Sequence, residues 1–224
     1  MSGNLRISQI NGGQIGFRNI LINGYVNTTY EINQRTKQFT STSNGDYFAD
    51  RWKRVNSSNM TQIIEEGSYN PSTDYCLSGS GLTTQVITSP GSGNWTLPNI
   101  SRTASFIQLE AGDRESDFEW KPIGIEYSLC QRYYQKSYSV GSPPGNVDST
   151  GSVIAMSNSF GTFTANVTFN TLMRTGPTIT LYDINGGTPT FTVGSTVGAR
   201  GFFVSKIAAT SSTERFHFVA DAEL

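Results

Sequence analysis

Thr162-Phe163-Thr164-Ala165-Asn166-Val167-Thr168-Phe169 alternates polar and apolar residues along its whole length, the period-two pattern of a strand with one face on a core and the other in water. Downstream, Ile179 and Leu181 lead into Asn185-Gly186-Gly187, a hairpin signal because Asn and Gly take positive φ at little cost. Phe191 and Val193 continue on the expected return strand. Residues 201–207 and 214–222 read as a final strand pair, with Phe216, Phe218, Ala220 and Ala222 on one face. An antiparallel β domain over residues 122–224 is the expectation.

Moving toward the N-terminus, Gly141-Ser142-Pro143-Pro144-Gly145 breaks any regular element. Pro122 opens a short helix to about Gln131, with Ile125 and Leu129 at i and i+4 on one face, and a strand fits Arg132 to Val140. Phe106-Ile107-Gln108-Leu109 reads as a buried strand leaving through Glu110-Ala111-Gly112. Residues 56–105 are mostly polar, with brief apolar points at Ile63-Ile64, Val86-Ile87 and Trp95-Thr96-Leu97. From Gly16 on, Phe17, Ile20 and Ile22 run to a turn at Gly24, and Tyr30 and Ile32 resume the apolar positions, which suits strands and turns better than a helix. Residues 1–15, with Leu5, Ile7 and Ile10 between flexible stretches, are too short for a core and suit an arm that pairs with another chain.

Only 36% of the 224 residues are apolar and 15% charged, with 23 Gly among many Ser, Thr and Asn, a composition of short strands and turns. The expected class is all-β, with two modules over residues 16–121 and 122–224. Sixteen basic residues against seventeen acidic give a net charge of -1, which leaves no basic excess for nucleic acid or anionic lipid. No apolar run is long enough for a membrane helix, and the start lacks the basic and apolar stretches of a signal peptide. Synthesis in a cytoplasm without membrane insertion is expected, and Cys76 and Cys130 are then reduced structural thiols.

Chemistry-bearing motifs are sparse. Gly79-Ser80-Gly81 lies in a Ser-rich turn and is no nucleophile elbow, and His217 is the single histidine. It alternates with Phe216 and Phe218, as a solvent-side or hydrogen-bonded strand histidine does. Asp113, Glu115, Asp117 and Glu119 alternate with other residues but lack the Gly-centred loop of a calcium hand. Glycoside hydrolysis needs only two carboxylates, about 5–10 Å apart, yet the chain shows no internal repeat of the kind long depolymerase solenoids carry. No catalysis, metal or cofactor is expected. Saccharide binding is different, because sugars stack on aromatic rings while Asn and Asp bond their hydroxyls. Trp95 and Asn94, in Gly93-Asn94-Trp95-Thr96, are the candidate glycan contacts. For Trp95 this competes with the reading of a core aromatic, and Trp52 and Trp120 are expected to pack.

Five segments carry a resemblance: Asn19 to Gly24 with Gln34-Arg35 following, Ala49-Asp50-Arg51-Trp52, Gln108 to Gly112, Glu126 to Tyr134, and Ala220-Asp221-Ala222-Glu223-Leu224. In this order, along nearly the whole chain, they resemble a family of tailed-bacteriophage tail-fibre and virion-surface proteins. The resemblance implies a carbohydrate-binding-like jelly roll closing at Gly112, then a second β module from Glu126. The stretch between Trp52 and Phe106 is shorter than in that family, which implies a reduced jelly roll. Such proteins sit on virions as fibres, tips or head projections, often as trimers. The implied role is a non-enzymatic virion-surface protein, homotrimeric and held to other virion proteins by the N-terminal arm, with a host-surface polysaccharide as partner. The alternative is a head fibre or capsid decoration protein.

Overall fold

The computed structural model describes residues 17–157, 162–186, 191–207 and 213–224. The arm expected over residues 1–15, and Gly187 of the expected hairpin turn, lie outside them. Among the described residues the chain is all-β apart from one α-helix and a 3-10 turn at Phe39–Ser41.

The N-terminal strands are β1 (Tyr47–Ala49), β2 (Trp52–Arg54), β3 (Asn59–Thr61), β4 (Ile63–Ile64), β5 (Asp74–Ser80), β6 (Gln85–Thr88), β7 (Trp95–Thr96), β8 (Ile100–Ser101) and β9 (Ser105–Ala111). One antiparallel sheet runs β1-β2-β3-β8, with β4 and β7 paired next to it in the chain, and a second runs β6-β5-β9. Trp52, Met60, Ile64, Trp95 and Ile100 from the first group meet Tyr75, Leu77, Ile107 and Leu109 from the second in one core. This is a small sandwich, the inner faces of its two groups of strands meeting in that core.

The strands expected over Phe17 to Ile32 do not form. That segment is a chain of bends and turns lying along β9. Ile20 N donates to Leu109 O and Ile107 N to Gly24 O, at 3.0 and 2.8 Å. Between these two bonds the Asn19 side chain takes the place of a strand, its Oδ1 accepting from Leu21 N and Leu109 N and its Nδ2 donating to Ile107 O. A side-chain amide presents the same donor and acceptor as a peptide group, so the ladder closes without extended backbone.

The C-terminal part holds α1 (Ile123–Gln131), β10 (Tyr134–Lys136), β11 (Val153–Ser157), β12 (Thr162–Thr168), β13 (Thr178–Asp183), β14 (Thr192–Gly198), β15 (Gly201–Ile207) and β16 (Thr213–Asp221). All seven strands form one antiparallel sheet. β16 is its axis, pairing with β13 along one edge and with β10 and β11 along the other. The sheet curls until Phe191, just before β14, meets Phe216 of β16 with ring centroids 4.8 Å apart. Phe163, Val167, Phe202, Val204, Phe216 and Phe218 fill the concave side.

Two expectations of strand pairing need correction, and the helix buries a face other than the one its apolar spacing marks. β13 bends at Asp183–Gly186, but it pairs with β16 and not with β14. β15 pairs with β12 and β14, so residues 201–207 and 214–222 share a sheet without being neighbours. In α1, Ile125 faces water while Glu126, Cys130 and Gln131 are buried. The helix thus presents a polar face inward, for the reason given next.

Candidate functional site

Where the two cores adjoin, four of the five segments singled out in the sequence, all but Gln108 to Gly112, meet in a polar seam that is mostly buried. Arg35 donates through Nη1 to Asp221 Oδ2 at 2.8 Å and through Nη2 to Glu223 Oε1 at 3.3 Å. Arg51 pairs with the other oxygen of Glu223, and its backbone N–H donates to the same carboxylate. The Arg35 guanidinium lies 3.9 Å from the Tyr134 ring centroid and that of Arg51 3.6 Å from that of Tyr133. Stacked on rings and paired with carboxylates, Arg51 also donating to Ile63 O, these planar cations keep their charge although both are buried.

Beside this group, Gln34 Nε2 donates to Asp50 Oδ2 at 2.6 Å and to Tyr134 O at 3.0 Å, while Tyr127 Oη donates to Gln34 Oε1. Asn23 donates through Nδ2 to Ile32 O and Asp50 O, and Trp52 Nε1 donates to Asn23 O. The Glu126 carboxylate accepts from Asn23 N and lies 3.6 Å from Lys121 Nζ. That bond explains the inward polar face of α1. At the rim Arg132 forks onto Glu65, which also accepts from Tyr133 Oη.

Burial pushes the Asp50 carboxyl up to about 7, against the hydrogen bonds of Gln34 and the field of Arg35. Burial likewise raises Glu126 and lowers Lys121, each opposed by the other's charge. The Cys130 thiol, wholly inside, is held well above its usual range by burial, so it stays protonated and inert. Cys76 is also a buried free thiol.

Of the sequence-derived glycan candidates, Trp95 belongs to the core. It is 7% exposed, with Tyr69 and Tyr75 edge-on at 5.5 and 5.3 Å, so the competing core reading holds and its ring offers no face to a ligand. Asn94 is exposed, and its Oδ1 accepts from Glu66 N as part of a loop. Trp52 packs in the core as expected. Trp120 does not: it is 59% exposed and heads a cluster with Tyr25, Tyr30, Phe106 and Phe118. Sequence spacing carried no signal for this cluster, because Tyr25 and Tyr30 join it from the far end of the module.

His217 is buried and hydrogen-bonded on both sides. A carbonyl only accepts, so Nε2 carries the proton and donates to Asp148 O at 2.8 Å, leaving Nδ1 to accept from Ser137 Oγ at 2.9 Å. Ser137 Oγ in turn accepts from Phe218 N, and the Tyr138 ring stacks on the imidazole at 3.8 Å. Here a backbone carbonyl stands where a hydrolase triad needs a carboxylate, and the serine oxygen is tied into the sheet. Among the described residues no group of His, Cys, Asp and Glu is placed to hold a metal ion, and no helix is long and apolar enough to cross a membrane. No family model matches the chain, and no curated protein or solved structure was found to be similar to it.

Proposed function

We propose that the chain is a non-enzymatic surface protein of a tailed-phage particle, of the tail-fibre or receptor-binding type, that presents an adhesive face to a host cell. The observation that carries this reading is the convergence in the seam. Segments that resemble virion-surface proteins, up to 188 residues apart, supply the ion pairs and amide bonds that lock two β modules together. Their chemistry is that of a scaffold, with charges cancelled and nucleophiles tied up, which suits a structural particle component. Among the described residues the edge strands β6, β13 and β14 each pair on one side only, and assembly into a homotrimer covers edges of this kind. Repeated copies on a particle then multiply shallow contacts into firm adhesion.

The test is a pull-down of the purified protein, sized by light scattering, against candidate host cells and against phage heads lacking fibres. Binding to cells as a trimer is the expected result. Binding to heads alone would replace the adhesive reading with capsid decoration.

A further inference from the structure

Trp120 touches four other rings and still keeps more than half of its surface in water. Tyr25 and Phe118 lie 5.4 and 5.5 Å from it, Phe106 5.6 Å and Tyr30 5.7 Å, centroid to centroid. Tyr25 is buried and its hydroxyl is fixed between Lys121 O and Lys121 N, so the cluster rests on a rigid base. Tyr30 is 54% exposed. An aromatic surface held this way loses little freedom on binding.

The backbone is bent to build it. Ser78 of β5 pairs with Gln108 of β9, but Ser80 pairs with Ser105, so β9 carries one extra residue in between. Phe106 sits in this bulge at φ 50°, a conformation that ring-bearing side chains seldom take. The bulge brings the Phe106 ring to Phe118 and Trp120. Strain of this kind is kept where the surrounding structure or a function requires it.

Phe106 and Phe118 also line an open groove of about 260 Å³, whose other walls include Ser78, Ser80, Glu115 and Asp117. Hydroxyls and carboxylates therefore border the rings. The adjoining loop carries Asp113, Glu115, Asp117 and Glu119 against Arg114 and the nearby Arg18, a net acidic rim.

We infer that the Trp120 cluster and its groove form a binding site for a neutral pyranose chain, an inference that rests on the adhesive reading above and locates its contact surface. The C–H faces of a pyranose stack on Trp120 and Tyr30, and its hydroxyls donate to Glu115 and Asp117 or exchange bonds with Ser80. The acidic rim repels acidic sugars and nucleic acid. A second copy of the chain is a poor occupant: the two half-open rings offer roughly 250 Å², against about 800 Å² per partner in a stable dimer.

The experiment titrates the full chain with chitohexaose, cellohexaose and a linear mannan, and with polygalacturonate as the acidic contrast, reading tryptophan emission. Trp52 and Trp95 are buried, so Trp120 reports the site. A saturable change with at least one neutral probe and none with polygalacturonate is expected. Tyr30→Ala, which leaves the reporter in place, should weaken that probe about tenfold, and Trp120→Ala should abolish its binding by calorimetry. Trp120→Phe, which keeps a ring if the alanine variant fails to fold, should retain weakened binding. No response to any neutral probe, an equal response to polygalacturonate, or unchanged affinity in Tyr30→Ala and Trp120→Phe would overturn the site. Cell adhesion measured on the same variants separates the two readings. Adhesion that survives unchanged in Trp120→Phe and Tyr30→Ala sinks the site alone, whereas sugar binding without adhesion to any cell sinks the adhesive role alone.

Discussion

Glu223 balances the charge of the seam. Its carboxylate faces Arg35 and Arg51, and all three side chains are out of water. Glu223→Ala leaves two buried guanidiniums with Asp221 alone, and losing one partner of a buried pair costs about 3–5 kcal/mol. The urea midpoint should fall accordingly with its slope unchanged. Arg132→Ala breaks a partly exposed pair with Glu65 and should cost no more than about 1 kcal/mol; equal losses in the two variants would contradict the argument from burial. Asp50 supplies a pH test. Its carboxyl sits at about 7 in the folded chain against an ordinary 3.8, so between these values the native state holds the proton more often than the unfolded state. Stability from this group therefore falls as pH rises through that window and levels off above it. Asp50→Asn cannot titrate, and the difference in melting temperature between pH 5 and pH 8 should shrink in the variant. An unchanged difference would assign the titration elsewhere.

At the scale of elements, the turn segment before β1 lies on β9 with no room for a side chain at Gly24, where a Cβ would stand 2.5 Å from Ile107 O. Gly24→Ala should destabilise by about 1–3 kcal/mol. Gly124 of α1 has open space around it, and Gly124→Ala should stabilise by about 0.5–1 kcal/mol through the backbone entropy alone. Thermal melts of the two variants should move in opposite directions, and a shared direction would discredit the packing at Gly24. Strand identity was legible where a strand has one wet face: β12 buries Phe163 and Val167 as its alternation requires. Pairing was not legible, because neighbours in the chain are neighbours in a sheet only about two-thirds of the time. β16 is buried from Phe216 to Ala220, and a strand covered on both faces does not announce its partners. Strands as short as β4, β7 and β8, two residues each, leave no period to read. Trp120, expected to pack, was misjudged for a related reason. Trp95 is enclosed by Tyr69 and Tyr75, and Trp120 is joined by Tyr25 and Tyr30 from the far end of the module, so tertiary partners decided which ring stayed wet.

Across the whole molecule, two cores are joined by charges that neither can settle alone. Arg35 and Arg51 belong to the first module, Asp221 and Glu223 to the second. Unfolding should then be one transition, with tryptophan emission, which reports only the first module, coinciding with amide exchange in β12, β15 and β16. Glu223→Ala should separate the two signals; two transitions in the unaltered chain would show that the seam does not couple the cores. The same arrangement bears on the order of events during synthesis. Glu223 is made 172 residues after Arg51, and at ~5–20 residues per second this is a wait of roughly 10–30 s. Throughout that interval the nascent first module carries a guanidinium with no carboxylate to answer it. A chain broken off before residue 223 never receives one, and it should be cut by protease faster than the chain that carries Glu223, a difference limited proteolysis of the two would show.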